Sequence, residues 1–298
     1  MQLILIALLA LQGQQEPEIL KFPISTTDEE LAEKIKGRSD LEILDLSNCK
    51  RITDTGLVHL KELPNLKKLV LWDCLKITDA GLAHLKELSH LKELDLGITK
   101  ITNGALPHLK LLPNLESLNL RYTKITDEGL PHLKEIGNLK RLTLWSTKIT
   151  NKGLVHLKDL KKLEWLHLGR TEISDEGLAN LKGLTTLTSL NLYQTKITAA
   201  GLVHLKGLTN LKLLTLTHTS ITDAGLVHLK GLTNLEKLIL TNTWITDAGL
   251  VHLKGLTNLK LLGLPSTKIT NAGLVHLKGL TNLNALGLSY TKITDAGL

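Results

Sequence analysis

Several residue columns in this 298-residue chain have side chains that could do chemistry. A histidine recurs in an HLK tripeptide, at His59, His84, His108, His132, His156, His204, His228, His252 and His276. A ladder of imidazoles raises the question of a metal. Helices of neighbouring repeats lie roughly 8–10 Å apart, and zinc needs its nitrogens at about 2 Å from one ion. One imidazole per helix does not close such a site, so these histidines are expected to pack against the next repeat. The two cysteines, Cys49 and Cys74, fall in the same slot of adjacent repeats. Their Cα atoms should lie about 5 Å apart, within disulfide reach. The slot points inward, however, so buried free thiols are expected, with a bonded pair as the alternative. The carboxylates recur once per repeat, whereas a catalytic constellation should stand once in a chain. No Ser/His/Asp or Cys/His arrangement stands out, and no CxxC or HExxH spacing occurs. A non-enzyme with no metal and no cofactor is the expectation.

The elements that position these residues come from an internal repeat. Units of the form LxxLxLxxTxITDxGLxHLKxLxN begin at Leu41, Leu66, Leu91 and Leu115 and continue every 24 residues to Leu283, where the last is cut short. The LxL segment alternates, so a short strand turns two leucines inward. The small polar residue after it (Cys49, Cys74, then Thr99 to Thr291) can bond the backbone of the turn that leaves the strand. Ile52 to Ile293 continue the core. Thr or Asp then supplies an N-cap for a short helix, in which leucines such as Leu57 and Leu60 share one face. The glycine before Leu57 admits a close backbone approach or a tight first turn. No unit can bury its leucines alone. Stacking buries them, giving a parallel sheet on one side and helices on the other, over an arc roughly 50 Å long.

This pattern resembles the leucine-rich-repeat family, over Leu41 to the last residue. The first two units, with Cys49 and Cys74, resemble the cysteine-containing subtype of F-box proteins, and the later ones its bacterial relatives. The resemblance implies an α/β solenoid, with a parallel sheet lining a concave side that binds partners. No F-box-like segment is visible in residues 14–40. A substrate-recognition subunit of a ubiquitin ligase is therefore the weaker alternative, beside a structural spacer or surface protein.

The variable slots lie on the outward side of the strand, and the aromatics gather there. Trp72, Arg121, Tyr122, Trp145, Trp165, His167, Arg170 and Tyr193 are the candidate partner-binding residues, densest in units four to seven. Trp244 lies just past the strand, and Tyr290 in the last unit also takes an outward slot. A chain that keeps aromatics out of its core yet shows them on one face marks an interaction surface, and Trp, Tyr and Arg dominate interface energetics. Drift on a tolerant surface is the bland alternative. The residues leave a peptide, a folded protein and a glycan open as partners, and the family resemblance implies a protein or peptide. The net charge of +7 traces to lysines in repeat columns, so no nucleic-acid surface is expected.

The ends differ from the repeats. Leu3 to Leu11 is an apolar run of h-region length, too short to span a bilayer, so residues 1–13 are expected to be a signal peptide and the protein exported, with a buried cap element as the alternative. Residues 14–40 are expected to cap the first repeat, with a helix over Thr26 to Lys36 whose Thr27 and Glu30 have capping-box spacing. Residues 41–298 form the repeat domain. The open last unit suggests a fragment of a longer, monomeric protein.

Overall fold

In the computed structural model, residues 18–297 are described; the expected signal peptide over residues 1–13 lies outside them. The repeats stack as an α/β solenoid. Twelve strands run in parallel in sequence order, from β1 (Ile19–Lys21) and β2 (Ile43–Asp45) to β12 (Ala285–Gly287). Neighbouring units pair in register, Leu44 opposite Leu69 and Leu69 opposite Leu94. The core is one continuous column of leucines closed by the isoleucines, from Leu41 through Ile52 to Leu264 and Ile269. Short α and 3-10 turns, such as Asp54–Leu57 followed by Val58–Glu62, cover the other side.

The cap helix α1 spans Asp28–Ile35, with the capping box between Thr27 and Glu30 and with Leu31 and Ile35 buried. Strand β1, which pairs with β2, was not expected. It extends the sheet by one strand before the first repeat.

The small polar column behaves as the sequence suggests. Thr99 donates its hydroxyl hydrogen to the carbonyl of Leu96 at 2.6 Å, and every threonine down to Thr291 repeats this bond. Cys74 instead reaches back one unit, donating to the carbonyl of Leu46 at 3.1 Å. Both thiols are free and buried. Burial pushes the Cys74 thiol up to about 12 and raises that of Cys49, so both stay protonated and inert at neutral pH.

Two sequence readings need correction. The threonine before each short helix is its N-cap, as at Thr53, Thr150 and Thr246. The following Asp or Asn is a strap between units. Asp54 accepts from the backbone N–H of Thr78 at 2.8 Å and from its hydroxyl at 2.5 Å, and Asp127 does the same to Thr150. Asn103 and Asn151 use both ends of the amide, accepting from the next backbone N–H and donating to the next hydroxyl. The repeated glycine makes room chiefly for this carboxylate, and at Gly201 and Gly225 also for the neighbouring backbone, with Asp175 Cα at 3.1 Å and Ala199 Cα at 3.0 Å from an added Cβ. A Cβ on Gly81 would lie 2.4 Å from Oδ1 of Asp54, and one on Gly153 2.3 Å from Oδ1 of Asp127. The strap fails once, at Ala199, below Thr222.

Candidate partner-binding surface

The outward side chains of each strand form three columns on the concave side, and a fourth column leaves it. The residue after the third outward slot adopts the left-handed conformation in every unit, with φ between 51° and 64° from Asn48 to Tyr290. Tyr122 and Arg170 belong to this column, so they project from the turn at the edge of the sheet rather than from the strand. The reason is backbone bonding: the N–H of Tyr122 reaches the carbonyl of Trp145, and that of Arg170 reaches the carbonyl of Tyr193. Bonds of this kind to the next unit hold even the β-branched Ile98 at φ 56°, which costs about 1–2 kcal/mol by itself.

The third outward column carries the best-organised part of the surface. From unit two it reads Trp72, Gly97, Arg121, Trp145, Gly169, Tyr193. Each tryptophan lies flat across the glycine of the next unit. A Cβ on Gly97 would meet Trp72 Cε3 at 2.3 Å, and one on Gly169 would meet Trp145 Cε3 at 2.4 Å. The residue one unit further on then stacks on the indole. The Arg121 guanidinium sits 3.6 Å from the Trp72 ring centroid, and the Tyr193 ring stacks on Trp145 at 4.9 Å and 25°. Two three-unit sandwiches therefore follow one another along the face.

The second column adds His167, edge-on to Trp145 at 4.6 Å and to Trp165 of the first column at 5.2 Å. Burial, helped by the nearby Arg121 charge, pushes His167 down to about 4, so the ring is neutral at physiological pH. Its Nε2 is buried without a hydrogen-bond partner. The Trp145 indole N–H donates to the Tyr122 hydroxyl at 3.3 Å, which pulls that phenol below its ordinary pKa. Beside this row lies a depression of about 540 Å³, floored by Ser117, Asn119 and Thr143 and walled by Asp95, Arg141 and Trp165. Arg141 is exposed and makes no ion pair among the described residues.

Comparisons with known proteins agree with this architecture. A family described as Zer-1-like leucine-rich repeats matches residues 33–109, and a leucine-rich-repeat family matches residues 112–130 and 231–253. The chain is a leucine-rich-repeat protein. A solved internalin (inlF) from Listeria monocytogenes is similar to it at 28% identity and TM-score 0.64, over 91% of this chain and 85% of that one. An internalin C2 from the same organism is similar at 28% identity and TM-score 0.58, over 70% of this chain and 84% of that one. A Leptospira interrogans leucine-rich-repeat protein shares the fold at 22% identity and TM-score 0.60, over 94% of this chain and 72% of that one. No curated protein matches the sequence.

Within this leucine-rich-repeat arc, the structure gathers Trp72, Arg121, Trp145, Trp165, His167 and Tyr193 into one contiguous row. Tyr122 touches the row from the edge. Arg170 lies at the same edge, beside the Tyr122 hydroxyl, with its Nε donating to Gln194 at 2.9 Å. The expectation of freely exposed aromatics needs revision, because the tryptophans and Tyr193 of the row are half-buried against one another. Of the candidates Tyr122 is exposed, at 45%, while Trp244 at 58% and Tyr290 at 90%, outside the candidate set, are exposed further. Among the described residues, no group of three or more His, Cys, Asp or Glu gathers as a metal site would require. The helix histidines sit one per unit, and the Nδ1 atoms of His228 and His252 are buried without partners.

Proposed function

We propose that this protein is a non-catalytic scaffold that recognises a protein or peptide partner through its concave face. Leucine-rich-repeat proteins commonly serve as protein-interaction scaffolds, which supports the class of function. The observation that carries the site is the Trp72–Gly97–Arg121 and Trp145–Gly169–Tyr193 succession. Each indole is held flat by a glycine below and a cation or ring beside it. The part of the ring that stays exposed is thus fixed before any partner arrives, and rigid aromatics lose little conformational freedom on binding. The depression walled by Asp95, Arg141 and Trp165 adjoins the row and offers unlike charges, the arrangement that sets register and specificity in a protein interface.

Export belongs to the same reading. The apolar Leu3 to Leu11 run supports it, as does similarity to internalins, and no helix among the described residues is long and apolar enough to cross a membrane. The test of function is affinity capture followed by mass spectrometry, with the parent beside a W145A/Y193A variant whose folding is checked by circular dichroism. A partner held by the parent and lost by the variant supports the concave site. An identical set on both refutes it.

A further inference from the structure

A second depression, of about 550 Å³, lies outside the concave face, on the flank by which the chain leaves the strands of units seven to eleven. Gln194, His218, Asn242, Trp244, Ser266 and Tyr290 line it. The repeat itself supplies the background against which this flank stands out. The residue before the core isoleucine is lysine in most units, from Lys76 to Lys292, and arginine at Arg51. Unit six carries Glu172 there, and units eight and nine carry Ser220 and Trp244 in succession. A small residue beside a large ring opens a gap along the indole, and Trp244 remains 58% exposed where the concave tryptophans are packed. An exposed indole in a polar depression is costly surface that ordinary solvation of a flank does not require.

The polar groups around it are of one kind. The Gln194 carbonyl oxygen is taken by Arg170, which leaves the amide hydrogens of Gln194 as donors at the groove. The Asn242 nitrogen pairs with His218 Nδ1, which leaves the Asn242 oxygen as an acceptor. The hydroxyls of Ser220 and Ser266 bond no other group among the described residues and can do either. No carboxylate lines the depression. Its single cation, Lys268, is drawn to the Trp244 ring with Nζ 4.8 Å from the centroid.

Apart from Lys268, which is engaged on the indole, this set has no charge to offer a peptide, and it has no dry pocket for an aliphatic side chain. It suits a neutral ring that presents a C–H face to an indole and vicinal hydroxyls to amides and hydroxyls. We propose that the flank groove around Trp244 binds a neutral glycan, at a site that adjoins the concave row where His218 meets Tyr193 edge-on at 5.3 Å.

Tryptophan-fluorinated protein resolves Trp72, Trp145, Trp165 and Trp244 by fluorine NMR. Cellohexaose, laminarihexaose and chitohexaose are the probes, at millimolar concentration. The expected result is that at least one of them moves the Trp244 resonance and leaves the concave three in place. Trp244→Lys installs the residue that Lys268 already places in the next unit, so the fold should survive, and it should weaken the binding by about tenfold or more. Ser220→Lys, which fills the gap beside the indole, should weaken it in the same way. The proposal is overturned if none of the three glycans moves Trp244, if the shifts fall on the concave tryptophans instead, or if both variants bind as the parent does.

Discussion

The break in the strap between units offers a direct measure of what the strap contributes. Asp175, one unit before the break, accepts from the Thr198 backbone N–H at 2.7 Å and from its hydroxyl at 2.5 Å. Asp223, one unit after it, does the same to Thr246 at 2.8 and 2.6 Å. Between them stands Ala199, and neither the backbone N–H nor the hydroxyl of Thr222 has a partner among the described residues. Room for a carboxylate has been kept, because the glycine column continues at Gly225, whose added Cβ would already meet Ala199 Cα at 3.0 Å. Ala199→Asp should therefore restore two hydrogen bonds to a charged acceptor. Each would be worth about 1.5–3 kcal/mol if buried, but Thr222 is exposed, and fixing the new side chain costs entropy. A net gain of about 1–2 kcal/mol is expected. In a stack whose units contact only their neighbours, that gain acts on the unit-seven to unit-eight interface. Hydrogen exchange reads it there: the Thr222 amide should slow by roughly tenfold or more, a factor of ten being about 1.4 kcal/mol. Asp127→Ala should show the reverse at Thr150. If Ala199→Asp leaves Thr222 exchange unchanged while Asp127→Ala leaves Thr150 protected, the strap contributes nothing and the reasoning fails.

Other expectations follow from the same geometry. Gly169→Ala puts a methyl group 2.4 Å from the Trp145 ring, so the indole must leave its glycine and its Tyr193 stack. The expected cost is about 0.5–1.5 kcal/mol, with a change in tryptophan fluorescence, and an unchanged spectrum would show that the sandwich is not rigid. His167 is held at about 4 against its ordinary value of 6.5, so the unfolded chain takes up the proton first. Stability should be level above pH 6.5 and fall as pH drops from 6.5 toward 4; urea midpoints should show this slope in the parent and a flatter one in His167→Gln. Cys49 and Cys74 should resist a thiol reagent in the folded protein and both react once it is unfolded, whereas rapid native labelling would contradict their burial.

How much the sequence revealed depended on whether a feature lives within one unit or between units. The inward leucines, the hydroxyl bond of Thr99 and the cap helix over Asp28–Ile35 were readable because each follows from local alternation or spacing. Strand β1 was not, since three residues carry no period of their own. The left-handed column was hidden for a different reason. Residues such as Ile98 and Tyr122 do not favour that conformation, which is imposed by bonds to the next unit. The strap does leave a signal in the sequence: an Asp or Asn in one unit faces a glycine in the next, as Asp54 faces Gly81. The concave candidates were found by composition, but their order needed the column read lengthwise, where Trp72 is followed by Gly97 and Trp145 by Gly169. Trp244 follows the strand, where alternation carries no signal, and only its place in a lysine column marks it.

The central claim, that a partner is recognised on the concave row, is tested most directly by site-specific photo-crosslinking. A benzophenone amino acid would replace Trp165 on the sheet side, or Val227 on the exposed helix side, in otherwise identical protein. The account predicts that the captured partner crosslinks from position 165 and not from position 227. Crosslinking from 227 alone would place recognition on the helix side and contradict it.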